Sequence, residues 1–399
     1  MADLNIKPKM SLAEKFKILD KVSDSFNQKA GKKIAGRIGK DEELLDRLTI
    51  KFIPTPSANI NAVMGGGFPR RRTTIIAGKP DSGKTSMALE TIAKNMKKDP
   101  TFVAGWLESE ESLEKKYLCE TFGIDPDRFF YMEHEREGAG ERALDQVESI
   151  MATGAINMMV INSLKALVPS EEFKKGMEKI QVGAQARMNA KMTRKFTSII
   201  AESDCAFVII THLTTQIGSM SRDPLIVAGG NAILYAAGIT LDLRQYSIQE
   251  SDPIKKEDGV KIHVKCTKNH CVPNRNPYLQ TDYFAIFGEG IEQHLETLDN
   301  AIEQGIICKG GAYYKEVDSN GEVIIRNGEK LQWLGKKAYK EYCKENPDYF
   351  EDLVARIEGK TVQISAKEIE EIEQLNRDIE SGLTDDIKKS IKSKKKRKK

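Results

Sequence analysis

No stretch of the 399 residues is apolar for long enough to cross a bilayer, and Met1-Ala2-Asp3 leads into a polar segment unlike a signal peptide. These absences predict a cytoplasmic chain with no membrane partner. Cysteine is sparse, six in all, at 119, 205, 266, 271, 308 and 343. Only Cys266 and Cys271 lie close, with His270 beside the second, and further zinc ligands at suitable spacing are missing. Reduced thiols are therefore expected. No internal repeat is evident. Hydrophobic residues make up 40% and charged residues 30%, the composition of an ordinary folded protein with room for one large domain and smaller ones. Charge is unevenly placed. The net charge is +3, yet Lys388 to Lys399 holds nine basic residues and no acid, so the remainder sums to three minus nine, −6. Such a tail reads either as nonspecific attraction to a polyanion or as a solubilising end.

What is present centres on Gly78-Lys79-Pro80-Asp81-Ser82-Gly83-Lys84-Thr85, with Ser86 opening the segment that follows. A β-branched apolar run, Thr73 to Ala77, precedes it, and a helical pattern to Lys97 succeeds it. This is the strand, Gly-rich loop and helix of a P-loop. Gly78 and Gly83 allow the tight turn that points successive N–H groups inward around a phosphate chain. The helix N-terminus adds its positive end. Lys84 is placed for the β- and γ-phosphates and the Thr85 hydroxyl for Mg2+. The sequence predicts binding of a nucleoside triphosphate, against the alternative of a Gly-rich turn that matches by chance.

Residues 1–50 form a short N-terminal segment. Within it, Ser11 caps a helix whose apolar face carries Leu12, Phe16 and Leu19; too small for its own core, it must dock on the main domain or a neighbouring subunit. Residues 51–288 read as the core. Strands are expected near Thr73–Ala77, Val103–Leu107, Met158–Asn162 and Ala206–Thr211, separated by helices at 85–97, 111–122, 140–153 and 182–202. This alternation predicts an α/β fold with a mostly parallel sheet, ligands gathering at the carboxyl ends of the strands. Val260–Cys266 and Tyr283–Phe287 read as antiparallel additions. Residues 289–360 carry signals of a small α/β C-terminal domain in which Trp333 helps fill a second core, and 361–399 a charged helix and the basic tail.

Further segments together resemble the RecA family of DNA strand-exchange proteins, bacterial or phage-encoded, over most of the chain. Gly140 to Leu144 followed by Met158 to Leu167 is similar to the family's second nucleotide motif. Gly183 to Met188, with Arg194-Lys195, resembles the helix after its first DNA-binding loop. Gly229-Gly230-Asn231-Ala232, leading to Leu241–Arg244, resembles the end of its second. The resemblance implies a RecA-like ATPase core that takes ATP and Mg2+.

Glu110, just past the Val103–Leu107 run, can polarise the water that attacks the γ-phosphate, and the resemblance places the catalytic glutamate there. Its neighbours Glu108 and Glu111 read as an acidic helix cap. The resemblance also implies that Tyr117 stacks on adenine and that Glu114 lies near its amino group; from spacing alone Tyr117 reads as a core residue. Asn162 stands where an aspartate should hold the Mg2+ shell through water. It keeps the shape and an oxygen but loses charge, so hydrolysis is expected to be weaker, or to lean on another partner such as Ser163. His212 would contact the γ-phosphate and open the second DNA loop. In Lys268-Asn269-His270, the lysine and histidine would reach across an interface to a neighbour's nucleotide, as an arginine finger does; without the resemblance the segment reads as a strand-end turn.

For DNA, Val182 ends the first loop and Ile217 sits in the second, both as apolar wedges between bases. Arg187 and Arg194 would meet phosphates, as would Lys195 and Arg222 unless they belong to a solvated basic face. The whole implies an ATP-dependent recombinase that forms a homo-oligomeric helical filament on single-stranded DNA and pairs it with homologous duplex DNA. The alternative is an ATP-gated DNA-binding filament or regulatory paralogue with little hydrolysis. A ring-forming helicase or clock-type ATPase fits less well, because the two loops and the C-terminal domain go unexplained.

Overall fold

The computed structural model describes residues 10–111, 113–134, 140–173, 183–215, 225–250, 252–272, 279–326 and 328–359. The chain divides into two compact units. The first comprises residues up to Thr55, Ile60–Tyr246 and Lys261–Asp282; the second comprises Pro56–Asn59, Ser247–Val260 and the chain from Tyr283 onward.

The helix Leu12–Ala30 opens as the sequence predicts. Ser11 accepts a hydrogen bond from the Glu14 N–H at 3.3 Å while the Glu14 carboxylate accepts from the Ser11 N–H at 2.8 Å, a reciprocal capping box. Gly31, with φ of 65°, ends it in the left-handed region that glycine enters without strain. No residue of this helix is buried, and Leu12, Phe16, Ile18, Leu19, Val22 and Phe26 all lie exposed. The Arg37 guanidinium sits 4.1 Å above the Phe16 ring. The first helix thus meets the segment that follows it, through Arg37 on Phe16 and Asp20, while most of its apolar side chains stay exposed among the described residues.

The central sheet of the first unit runs in the order Gly259–Asn269, Ile239–Tyr246, Thr73–Gly78, Ala206–Thr215, Met158–Asn162, Ala104–Glu108, Phe129–Glu133. Only the pairing of Gly259–Asn269 with Ile239–Tyr246 is antiparallel among these neighbours. Thr73–Gly78, Ala104–Glu108 and Met158–Asn162 are buried at every position, which is why they read as unbroken apolar runs without alternation. The helices Lys84–Lys98, Gly140–Ala152 and Ala184–Glu202 close the crossovers between parallel strands. One core cluster joins Met188, Met192 and Phe196 to Phe207 and Ile209 of the sheet, with Phe196 and Phe207 edge to face at 5.5 Å.

Two local expectations change. Phe129–Glu133 is a strand the sequence did not announce; it sits at the sheet edge, its Phe130 and Tyr131 exposed, so it lacks a hydrophobic period. The helix expected over 111–122 is shorter. Glu111 takes a left-handed φ of 52°, and among the described residues the helical stretch covers 115–121, its last five residues the π-helical turn Tyr117–Thr121. Among the described residues no helix is long and apolar enough to cross a membrane.

The second unit has its own core, in which Leu298, Trp333, Tyr339, Tyr349 and Leu353 pack together. Around it lie a three-stranded antiparallel sheet, Ile307–Gly310, Tyr313–Glu316 and Gln332–Leu334, and the helices Gln293–Glu303 and Gly335–Glu345. Trp333 meets Tyr339 edge-on at 5.1 Å, as a core-filling residue should. Glu292 caps Gln293–Glu303 through the N–H groups of His294 and Leu295 and pairs with Lys340. Burial pushes its carboxyl up, but the bonds from His294 and Lys340 and their charges win and bring it down to about 2. A pKa depressed on folding adds stability that is full above the unfolded value and drains as pH falls toward the folded one. Between about pH 4.5 and 2 this unit should lose on the order of 3 kcal/mol from Glu292 alone. Acid titration of unfolding, followed by tryptophan fluorescence, should show a flatter profile in that window for Glu292→Gln.

Candidate active site

The P-loop strand ends at Gly78, and the loop turns into the helix through two left-handed residues, Asp81 at φ 59° and Gly83 at φ 78°. The space at Gly78 is tight: a Cβ there would come within 2.2 Å of Ser82 Oγ and 2.7 Å of the Leu243 carbonyl. Ser82 Oγ donates to the Lys79 carbonyl at 2.8 Å, and Lys84 Nζ donates to the same oxygen at 2.7 Å. Lys79, Pro80 and Asp81 form the exposed rim, while Ser82 and Lys84 are buried and Thr85 and Ser86 half-buried. Burial pulls Lys84 below the ordinary lysine pKa, opposed by the charges of Glu110 and Asp81.

Register brings the remaining groups to the same edge. Gly78 pairs with His212 across one parallel ladder, and Glu108 with Asn162 across another. His212 Nε2 lies 2.9 Å from Glu110 Oε1, which also accepts a short hydrogen bond from the Ser163 hydroxyl. Burial pushes the Glu110 carboxyl up, but the Ser163 and His212 bonds and the charges of His212 and Lys84 more than offset it, leaving it below the usual glutamate value. Glu110 is thus a carboxylate held by two donors near a buried lysine, suited to orienting a water and to keeping its charge.

Asn162 is wholly buried. Its Nδ2 donates to Glu108 Oε2 at 2.9 Å, and its Oδ1 lies 3.5 Å from Thr85 Oγ1. Glu108, only 2% exposed, also accepts from Trp106 Nε1 and from the Glu110 backbone N–H, each at 2.9 Å. Glu108 therefore belongs to the site and not to a helix cap, which corrects the sequence reading. The signal was available: Trp106 and Glu108 alternate onto one face of a buried strand, where an acid needs donors. The Thr85 hydroxyl and the Asn162 carbonyl oxygen face one another, an oxygen donor pair that fits a hard cation such as Mg2+. Among the described residues no group of three or more His, Cys, Asp or Glu is placed to hold a metal. Cys266 and Cys271 are buried thiols, each pushed up to about 11 by burial.

Other candidates stand apart from this cluster. Lys268 Nζ donates to the carbonyls of Leu234 and Tyr235 at 2.7 and 2.9 Å, at the C-terminal end of the short helix Asn231–Ala236, a favourable place for a cation. His270 is exposed, its backbone N–H bonded to the Gly238 carbonyl. Tyr117 is 37% exposed with its ring edge-on to Phe122 at 4.7 Å, so the core reading of Tyr117 does not hold; Glu114 is exposed and outside any helix. Gly229 and Gly230, at φ 116° and 88°, turn the chain into Asn231, and Asn189 Nδ2 holds the Gly229 carbonyl at 2.8 Å. On the helix Ala184–Glu202, Arg187 pairs with Glu171 at 2.6 Å, while Arg194 is exposed. Lys195 pairs with both Asp145 and Glu148, which favours its reading as part of a solvated basic face. Val182, Ile217 and Arg222 lie outside the described residues.

Comparison with known proteins bears on this arrangement. The family model described as the RecA N-terminal domain matches residues 17–292. The chain is similar to Protein RecA of Aquifex pyrophilus, 30% identical over 87% of this chain and 92% of the relative. It is also similar to Protein RecA of Geobacter sulfurreducens, 31% identical over 88% and 96%, and of Citrifermentans bemidjiense, 32% over 82% and 92%. For the phosphate cradle itself, Gly78→Ala forces the loop off Ser82 and the Leu243 carbonyl. Titration with a fluorescent ATP analogue should show affinity lower by about a hundredfold, roughly 2.7 kcal/mol, with the far-UV spectrum unchanged.

Proposed function

The chain belongs to the RecA family, and from that premise we propose that it is an ATP-dependent homologous recombinase, active in recombination and DNA repair. The observation that carries the reading is the position of His212. It holds the carboxylate of Glu110, stands beside Gly78 of the P-loop strand, and lies on the strand Ala206–Thr215 that leads into the second loop.

The P-loop N–H groups and Lys84 take the triphosphate of ATP. Lys84 gives up the Lys79 carbonyl for a phosphate oxygen, trading one partner for a charged one. Mg2+, when bound, neutralises charge on the phosphates, with the Thr85 hydroxyl and the Asn162 amide oxygen as its protein side. Asn162 brings no formal charge of its own, and we read the chain as a DNA-dependent ATPase of modest turnover. Glu110 orients the attacking water, and His212 exchanges its hold on Glu110 for a hydrogen bond to the γ-phosphate. That exchange draws on the strand entering the second loop and ties nucleotide state to grip on DNA. Tyr117 and Glu114 are assigned to the adenine.

Single-stranded DNA is held through phosphates by Arg187 and Arg194, with Val182 and Ile217 as wedges between bases and Gly229, Gly230 and Asn231 closing the second loop. Arg187 must exchange Glu171 for phosphate to do so. Homologous duplex DNA is then tested by base pairing, so the protein need not read sequence. Subunits add head to tail into an open helical filament. Residues 1–50 serve as the polymerisation segment, which accords with the exposed apolar face of Leu12–Ala30. Lys268 and His270 reach the neighbour's nucleotide, residues 289–360 form the C-terminal domain, and the protein works in the cytoplasm.

Steady-state ATP hydrolysis should rise on adding single-stranded DNA, and Glu110→Gln should lower it by about a hundredfold. Negative-stain images of that variant with ATP and DNA should still show filaments. Silence of the parent protein with DNA, or rings in place of filaments, would remove the proposal. Replacing Phe16 and Leu19 together by aspartate should abolish filaments while leaving ATP affinity of the monomer within about twofold.

A further inference from the structure

The Asn162 amide can present either its oxygen or its nitrogen to the Thr85 side, and which it presents decides whether it can serve a cation at all. Glu108 settles the choice. Three N–H groups converge on its carboxylate, those of Trp106 and Asn162 on Oε2 and that of Glu110 on Oε1. An ionised carboxylate accepts only, so it draws the Asn162 nitrogen inward and turns the oxygen toward Thr85. Both side chains are almost completely buried, and they are direct register partners on adjacent parallel strands. We propose that Glu108 is a positioning residue for the metal shell of this site, that it restores from behind the negative charge Asn162 lacks, and that this pairing makes asparagine the residue position 162 requires.

The inference rests on the ATP-site reading above and sharpens it, because it reverses an obvious expectation. Asn162→Asp looks like a repair of the metal shell. With Glu108 in place it removes the N–H that Glu108 accepts and sets a second carboxylate in a buried position where that donor lay 2.9 Å away. The single substitution should therefore harm the protein. Glu108→Gln harms it differently: an amide cannot accept from donors on both of its ends, so the orientation of Asn162 is no longer enforced. In the paired variant Glu108→Gln with Asn162→Asp, the introduced glutamine amide can donate to the new carboxylate, and its oxygen can still accept from the Glu110 N–H. The Trp106 N–H is then stranded, so recovery should be incomplete.

The full-length parent, both single variants and the pair are compared in two measurements. Thermal unfolding without nucleotide or metal should show Asn162→Asp lower in Tm by about 5 °C or more, and the pair above it. Mn2+ binding in the presence of a non-hydrolysable ATP analogue, followed by electron paramagnetic resonance, should weaken about tenfold or more in each single variant. The pair should recover to within about threefold of the parent, a coupling that a purely structural role for Glu108 would not give the metal. Asn162→Asp that keeps the parent's Tm and binds Mn2+ as tightly or more tightly overturns the inference. So does a pair whose losses simply add. A parent chain that binds no ATP analogue removes the proposed function instead, and the metal-free Tm comparison then still decides whether Glu108 and Asn162 are coupled.

Discussion

Two parallel ladders fix where chemistry is possible in this molecule: Gly78 opposite His212 in one, Glu108 opposite Asn162 in the other. Hydrogen bonding between buried strands allows no intermediate positions, since a slip of one residue would turn every side chain to the other face. The Gly78–Thr85 loop, the Glu110 carboxylate and the Asn162 amide therefore arrive at one edge together. Helices on both sides exclude water from the strands, so each polar group at that edge must find a protein partner or a ligand. The short chain of contacts from Trp106 through Glu108 to Asn162, and from Ser163 through Glu110 to His212, is how this requirement is met.

The same partners give the site a defined resting arrangement. Lys84 rests on the Lys79 carbonyl, and Glu110 on His212 and Ser163. Each of these contacts can be exchanged for a phosphate oxygen or a water without stranding a buried charge. On the proposed reading, a nucleotide would shift the molecule by offering better partners to groups that already have adequate ones, which is the condition for a reversible switch.

Much of this was legible in the sequence for identifiable reasons. Gly78, Gly83 and Lys84 are constrained by backbone geometry and by phosphate shape, both of which leave spacing that can be read. Met158–Asn162 and the first part of Ala206–Thr215, to Thr211, were legible because buried strands are near-continuous apolar runs, whereas the extension His212–Thr215 is only half-buried or exposed and was not read. Phe129–Glu133 escaped because an edge strand with exposed aromatics has no such run. The helix expected over 111–122 falls short only at its start, where Glu111 takes a left-handed backbone that no propensity foretells. Glu108 was misread because the local signal, Trp106 two residues before it, points to a buried acid without naming its other partner, Asn162, 54 residues away.

The first helix has a consequence of another kind. Its cap is satisfied by its own Ser11 and Glu14, yet Leu12, Ile18, Leu19, Val22 and Phe26 lie exposed among the described residues. If a second copy covers them, then assembly obeys a critical concentration: below it subunits stay apart with the helix bare, and above it added protein lengthens existing polymers. The size of the polymer then reports the supply of free subunits, and any agent that sequesters Leu12, Phe16 or Leu19 acts as a length regulator without approaching the nucleotide.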